Sequence, residues 1–188
     1  MSTKPNHKRK IIQSAIRLFR RKGYSATGLN EILKSSGAPK GSLYYYFPHG
    51  KEELGAAAVK AASETVLKTL EELELNSENG QDFFSRYCHM VAYWITASGY
   101  SEGCPITTTL LEMSSISPKI EKAGSMGFSL WKDVFTRVLL KDGLSKEEAI
   151  EISLTLLSSI QGAILLSRVS RNTDALKAVG KHCYQSHK

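Results

Sequence analysis

Residues 27–51, TGLNEILKSSGAPKGSLYYYFPHGK, have the layout of two short helices joined by a tight turn. Thr27 is a suitable N-cap for the first helix, and Gly37 can take the positive φ that ends it. Pro39 then turns the chain, and the second helix is expected to begin near Lys40. The stretch therefore predicts a helix-turn-helix, although an ordinary helical hairpin fits the local pattern about as well.

The second of these helices begins with residues that suit contact with nucleic acid. Lys40 can reach a phosphate or a guanine edge, Gly41 allows the backbone to approach closely, and Ser42 can donate to a phosphate oxygen. Three consecutive tyrosines follow at positions 44–46. This surface is typical of a helix that enters a DNA groove, whereas tyrosines packed half into a core are the simpler alternative.

The distribution of charge favours the first of these interpretations. Residues 1–60 contain 12 Lys and Arg against 3 Asp and Glu, a net charge of +9, whereas residues 61–188 contain 13 against 15, a net charge of −2. The whole positive excess of +7 therefore lies in the segment with the predicted helix-turn-helix. A basic module joined to a nearly neutral one indicates a part that binds a polyanion and a part with another task.

Lys51 stands at the start of the next predicted helix, where a cation opposes the helix dipole. A solvated lysine would tolerate this position at small cost. A phosphate held jointly by the helix amides and Lys51 would instead make the charge favourable. Because the surrounding segment is basic, we interpret Lys51 as a phosphate contact.

The rest of the chain repeats apolar residues at helical spacing and shows no competing strand pattern. The pattern predicts an all-α fold of about nine helices, with a helix-turn-helix domain at 1–50 and a helical domain at 51–188. Beside the two helices of the motif, it places helices at 7–22, 51–75, 82–97, after Pro105, from Ser117-Pro118 to 141, at 146–169 and at 173–185.

The composition limits the remaining classes of protein. No apolar run is expected to reach the roughly 18 residues of a membrane span, and the basic N-terminus does not have the form of a secretory signal, so a cytoplasmic protein is expected. The three cysteines, Cys88, Cys104 and Cys183, are widely spaced and lack the spacings of metal ligands. We therefore expect free thiols, no metal and no cofactor.

The segment from Leu154 to Leu166 is nearly free of charge around its whole circumference. A helix that is apolar on all sides must be buried on all sides. One side can pack on its own chain, and a second copy of the chain would cover the other. A two-fold dimer would also present two helix-turn-helix units, which matches half-sites about 34 Å apart on DNA.

The N-terminal quarter of the chain resembles a known family. The run KIIQSAIRLFRRKGYSATGLNEILKSSGAPKGSLYYYFPHGKEEL contains G-Y-x-A-T, G-x-x-K-G-S-L-Y-Y-Y-F and K-E-E-L in order. It resembles the DNA-binding region of the TetR/AcrR family of bacterial transcription regulators. The variants ATGLNEI, SGAPKGSLY and FPHGKEEL, with GCPI further on, are similar to the LmrA/YxaF branch of that family.

The resemblance implies a DNA-binding role for nine residues. Thr27 would cap the first helix of the motif and contact phosphate, and Asn30 would reach a base or the backbone. Lys40 begins the recognition helix, and Lys51 would hold the DNA backbone. The full set is Thr27, Asn30, Lys40, Gly41, Ser42, Tyr44, Tyr45, Tyr46 and Lys51.

The resemblance also implies that the protein is a homodimeric repressor of a palindromic double-stranded DNA operator, released by a small molecule. Few charges fall in the central helices, which favours a largely apolar or aromatic effector. The candidate residues for the effector pocket are Tyr93, Trp94, Met113, Met126, Phe128, Trp131 and Phe135. Those for the dimer interface on the last two helices are Leu156, Ser159, Ile160, Ala163, Ile164, Leu176 and Val179.

Two other functions are compatible with parts of the sequence. Cys104 precedes a proline at a helix start, where a thiolate would be favoured, so a thiol-dependent enzyme can be imagined. No histidine is placed as its base, and we expect no enzymatic activity. An architectural protein that binds DNA without sequence preference would also need the basic segment, but it would have no use for the large apolar remainder of the chain.

Overall fold

The computed structural model describes residues 6–182, which form nine α-helices and contain no β-strand. This confirms the all-α expectation for that part of the chain. The helices are α1 (His7–Lys22), α2 (Leu29–Ser36), α3 (Lys40–Tyr46), α4 (Lys51–Asn76), α5 (Gly80–Ala97), α6 (Thr107–Met113), α7 (Pro118–Lys141), α8 (Lys146–Ser170) and α9 (Asp174–His182).

Most helix ends follow their local sequence. Gly37 ends α2 in the left-handed conformation, with φ 63°, which a residue with a side chain rarely adopts. Ser145 and Glu148 form a capping box, in which each side chain bonds the other residue's backbone amide at the start of α8. Pro118 occupies the first position of α7, where its missing amide proton has no cost.

The predicted N-cap of α2 is wrong. Gly28 is the N-cap, without a side-chain hydrogen bond, and the Thr27 side chain is fully buried. Its hydroxyl Oγ1 donates to the carbonyl oxygen of Gly23 at 2.8 Å, so it closes the turn behind α2 instead of capping the helix in front of it.

The helices belong to two compact units, and the functional boundary after residue 50 stays a prediction. The first unit comprises Met1–Ser63 and Pro105–Met126, and it therefore includes α6 and the first part of α7. Three short helices bury little apolar surface alone, which explains why this unit recruits later segments of the chain. Its fully buried large side chains are Ile11, Phe19, Ile32, Leu43, Phe47, Leu54, Ile106 and Ile120.

The second unit comprises Glu64–Cys104 and Gly127–Lys188. Within it α5 packs against α8 and α9, which also pack against each other. An aromatic cluster forms its core: the Phe135 ring lies 6.0 Å from that of Phe83, 5.1 Å from Phe84 and 6.0 Å from Tyr87, in edge-to-face arrangements. Such pairs stabilise a core beyond the burial of their area.

Helix α8 is long and apolar enough to cross a membrane by length and composition alone, contrary to the expectation that no such run exists. Core helices of soluble proteins satisfy the same criterion. The face of α8 that its own chain leaves exposed is nevertheless mostly uncharged. We call it the α8 stripe, and its residues are Leu154, Ser158, Gly162, Leu165, Leu166 and Val169.

Candidate nucleic-acid interface

Helix α3 has one buried side and one exposed side. Leu43 and Phe47 are 0% and 1% exposed, and they fix the helix in the core of the first unit. The rest of its surface exposes Lys40 and Tyr44, which are one helical turn apart, and Tyr45 next to Tyr44. Tyr44 and Tyr45 are thus not half in the core, as the simpler interpretation of the sequence supposed, whereas Tyr46 is half-buried.

Besides the half-buried Lys51, seven of the nine predicted DNA-binding residues lie at least partly at the surface. Tyr45 is 80% exposed and Tyr44 is 49% exposed, values that are unusual for aromatic side chains in a free protein. The Tyr45 and Tyr46 rings meet edge to face at 5.0 Å. The exposed or half-buried set is Asn30, Lys40, Gly41, Ser42, Tyr44, Tyr45 and Tyr46.

Gly41 has no intramolecular reason to be a glycine. Its φ is not positive, and a Cβ built on it would have no other atom within 4 Å. A glycine within a helix destabilises it by roughly 0.5–1 kcal/mol relative to alanine. The residue therefore suits a surface that another molecule must approach closely.

The other two predicted residues, Thr27 and Lys51, have hydrogen-bond partners within the protein. Thr27, as described above, is buried, and its hydroxyl is bonded to the protein backbone. Lys51 Nζ donates to the carbonyl oxygen of Ser25 at 3.3 Å and lies 4.4 Å from the centre of the Tyr24 ring. A phosphate contact for either side chain stays a prediction.

The first unit also carries exposed cations on α1. Two of these cations bond residues of α2: Arg17 Nη2 donates to Ser35 Oγ at 2.7 Å, and Lys22 pairs with Glu31 at 2.8 Å. The other exposed cations on α1 supply positive potential that attracts phosphates. They are Lys8, Arg9, Lys10 and Arg21.

The seven candidates for the effector pocket occupy different environments. Tyr93 and Met126 are 70% and 55% exposed, whereas Trp131 and Phe135 are 1% exposed within packed side chains. Trp94, Met113 and Phe128 are half-buried, and the Phe128 and Trp131 rings meet edge to face at 5.5 Å. A cavity of about 100 Å³ in the second unit is lined by other residues, among them Glu74, Phe83 and Asp142.

The candidates for the dimer interface lie mainly on the inner side of α8 and α9. The chain itself covers Leu156, Ile160, Ala163, Ile164 and Leu176, each less than 9% exposed, while Ser159 and Val179 are half-buried. These five are core residues of the protomer. On the opposite face of α8, Leu154, Leu165, Leu166 and Val169 are 57–74% exposed.

The two cysteines in the described residues, Cys88 and Cys104, are buried free thiols, as expected. Cys104 is 5% exposed, which does not suit a nucleophile that must meet a substrate. Cys183 lies outside the described residues. Within those residues, no group of three or more His, Cys, Asp or Glu could hold a metal ion.

Two family models together match most of the chain. Residues 11–58 match the model for bacterial regulatory proteins of the tetR family, and residues 81–182 match that for the C-terminal domain of LmrA/YxaF-like transcriptional regulators. Among similar proteins, the uncharacterised HTH-type transcriptional regulator YxaF of Bacillus subtilis is 33% identical over 96% of this chain and 95% of its own length. The HTH-type transcriptional regulator LmrA of the same organism is 34% identical over 89% of each chain.

Solved structures agree on the fold. A TetR transcriptional regulator from Legionella pneumophila superimposes with a TM-score of 0.86 over 97% of both chains, at 20% sequence identity. The reduced form of NemR from Escherichia coli gives a TM-score of 0.79 over 95% of both chains, at 23% identity. The exposed recognition surface, the basic first unit and these matches together establish that the chain belongs to the TetR family of DNA-binding transcriptional regulators, in its LmrA/YxaF-like group.

Proposed function

We propose that the protein is a ligand-released repressor that binds a palindromic operator as a homodimer. The exposed side of α3 is the observation that supports sequence recognition best. It carries Lys40, Tyr44 and Tyr45 close to Gly41, which the fold itself does not require to be a glycine. A cation, aromatic rings and a close backbone approach are what base edges and phosphates in a major groove require.

The α8 stripe supports the homodimer. Four of its six residues are leucine or valine that remain 57–74% exposed in the protomer, and Ser158 and Gly162 between them allow two helices to approach closely. A two-fold axis through this stripe would cover both copies with the same surface. The apolar length of α8 is then explained by burial between protomers, which is in keeping with a cytoplasmic protein.

Helices α5 and α6 carry only three residues of the Asp, Glu, Lys and Arg types, Asp82, Arg86 and Glu112, which supports an effector that is largely apolar or aromatic. Calorimetric titration with a panel of hydrophobic drugs and plant phenolics tests this part of the proposal. Heat of binding to at least one compound, which also lowers the affinity for the operator, is expected. A panel that gives no heat and no release would contradict an apolar effector.

Selection of bound fragments from a genomic library tests the function as a whole. We expect the chain to enrich a palindromic sequence and to bind it at least 10³-fold more tightly than random duplex at physiological salt. A ratio near one would instead favour the architectural protein. That alternative has the basic α1 in its favour, but it leaves the exposed tyrosines of α3 without a role.

Lys40→Ala is expected to weaken binding to the selected operator by about 1–3 kcal/mol, which is roughly 5- to 150-fold, because a base or phosphate contact is lost. The melting temperature should not change, since the side chain is exposed. Lys60→Ala is the matched control, because Lys60 is an exposed lysine on α4 in the same unit. Equal affinities of the two variants, measured by fluorescence anisotropy, would remove Lys40 from the interface.

Gly41→Ala is expected to act in opposite directions on stability and on binding. The added Cβ meets no atom of the protein, so it should stabilise the fold by roughly 0.5–1 kcal/mol. On DNA the same methyl group would stand in the space of the close approach and weaken operator binding. Urea denaturation and anisotropy on the same sample measure both effects, and unchanged binding would show that α3 does not approach DNA at Gly41.

A further inference from the structure

Glu112, one residue before the end of α6, bonds the turn that leads into the helix-turn-helix. Its Oε1 accepts a hydrogen bond from the backbone amide of Tyr24 at 2.8 Å, and its Oε2 accepts one from that of Ser25 at 2.7 Å. Tyr24 and Ser25 precede Glu112 in the sequence by 88 and 87 positions. Bonds of this kind, from neutral donors to an ionised acceptor, are among the stronger ones in proteins.

Lys51 holds the same turn from its other side. While the Ser25 amide donates to Glu112, the Ser25 carbonyl accepts from Lys51 Nζ at 3.3 Å. The ammonium also lies over the Tyr24 ring, 4.4 Å from its centre. One residue of the turn is thus held between an acid from α6 and a base from the first turn of α4.

The turn is shaped to admit the carboxylate. Gly23 has φ 86°, and a Cβ at this position would overlap Oε1 of Glu112. The Tyr24 side chain is buried against Phe19, at 5.2 Å between rings, and Gly55 leaves room for it. A glycine is therefore required here both for the backbone conformation and for the approach of Glu112.

The charge of Glu112 is maintained in this setting. Burial alone would raise its pKa, but the hydrogen bonds from Ser25 and Tyr24, together with nearby Lys51, lower the pKa below its usual value. Glu112 therefore accepts both bonds as a carboxylate at neutral pH.

The turn determines where α2 begins. Thr27 Oγ1 donates to the Gly23 carbonyl, and Gly28, the next residue, is the N-cap of α2. Only Gly37 to Pro39 separate α2 from α3. A displacement of the turn would therefore be passed directly to the recognition helix.

We propose that Glu112 is a positioning residue for DNA recognition, which acts through the Tyr24–Ser25 backbone and together with Lys51 to fix the orientation of α2 and α3. The inference rests on the proposed recognition of an operator. This role connects α6 directly to the recognition helix α3. If Glu112 is displaced from the turn, Ser25 loses one of the two groups that hold it.

Glu112→Gln tests the role of the carboxylate. The amide keeps the length of the side chain but replaces one acceptor by an NH₂ group, which would face a backbone N–H. Glu121→Gln is the matched control, because Glu121 is an exposed acid at the start of α7 in the same unit, and its loss changes the net charge equally. Both variants are titrated with the operator selected by the wild-type chain and with random duplex, at a temperature at which circular dichroism shows both to be folded.

We expect Glu112→Gln to bind the operator at least tenfold more weakly than Glu121→Gln does, with equal affinity of the two variants for random duplex. A residue that only stabilises the fold would not change the ratio of operator affinity to random-duplex affinity in folded protein. Equal ratios for the two variants would overturn the role of Glu112. A wild-type chain that selects no sequence would instead overturn the proposed function.

Lys51→Met provides an independent test and decides the matter if Glu112→Gln does not fold. Methionine can still cover the Tyr24 ring but cannot donate to Ser25. We expect a reduced ratio of operator to random affinity and an unchanged dependence of log affinity on log salt. A slope smaller by about 0.9 on both duplexes would show that Lys51 neutralises a phosphate, and it would overturn its place beside Glu112.

Discussion

Leu165→Glu is expected to separate the proposed homodimer into monomers and to lower the affinity for the operator by more than a hundredfold. Leu165 is 59% exposed in the protomer and lies within the α8 stripe. Across a two-fold axis the substitution would bury two unpaired carboxylates, each of which costs several kcal/mol. A monomer has one recognition helix, so it also loses the factor of about 10² to 10⁴ that comes from two linked contacts.

Sedimentation velocity and operator titration at the same protein concentration measure the two effects. Leu75→Glu is the matched control, since Leu75 is 83% exposed near the end of α4, away from the stripe. The control should remain dimeric and bind normally, while Leu165→Glu should keep its helix content, because its side chain is not part of the protomer core. A dimeric Leu165→Glu with normal affinity would place the interface elsewhere.

The parts of this structure that could be predicted from the sequence are those determined within a few residues. Three such features depend on neighbours only three or four residues away. They are the positive φ of Gly37, the reciprocal bonds of Ser145 and Glu148, and Pro118 at a first helical position. The helix-turn-helix is therefore confirmed within the described residues, as is the number of helices. The exposed tyrosines of α3 also follow from the local pattern, because Leu43 and Phe47 leave the other side free.

The environment of Thr27 and Lys51 could not be predicted in the same way. Thr27 has the residue type and position of an N-cap, but the carbonyl of Gly23 offers its hydroxyl a partner inside the turn. Lys51 has the position of a phosphate contact, but the Ser25 carbonyl and the Tyr24 ring take its ammonium. Glu112 carries no sequence signal at all, since its partners are more than 80 residues away.

Helix α8 shows a second limit of sequence patterns. The pattern indicates that both faces are apolar, and it says nothing about which face meets the rest of the chain. The resemblance places Leu156 and Ile160 among the candidates for the dimer interface, whereas the structure buries both in the protomer. A charged stripe along either face would have decided the question.

Phe135→Ala is expected to destabilise the protein by about 3–5 kcal/mol, the usual cost of removing a buried phenylalanine. The sequence made Phe135 a candidate for the effector pocket, because an aromatic stripe at helical spacing fits a pocket and a core equally well. In the structure it is 1% exposed, and Phe83, Phe84 and Tyr87 lie around it. Its deletion would leave a cavity and remove three aromatic contacts at once.

Urea denaturation at a fixed protein concentration, followed by circular dichroism, measures the loss. Tyr93→Ala is the matched control, because Tyr93 was a candidate for the same pocket but is 70% exposed, so its removal should change the free energy of unfolding by no more than about 0.5 kcal/mol. A Phe135→Ala protein as stable as this control, but unresponsive to a compound that releases the wild type from DNA, would mean that the ring lines a ligand site. A large loss of stability in Phe135→Ala alone would assign the ring to the core, and the search for effector contacts would then turn to the half-buried Trp94 and Phe128.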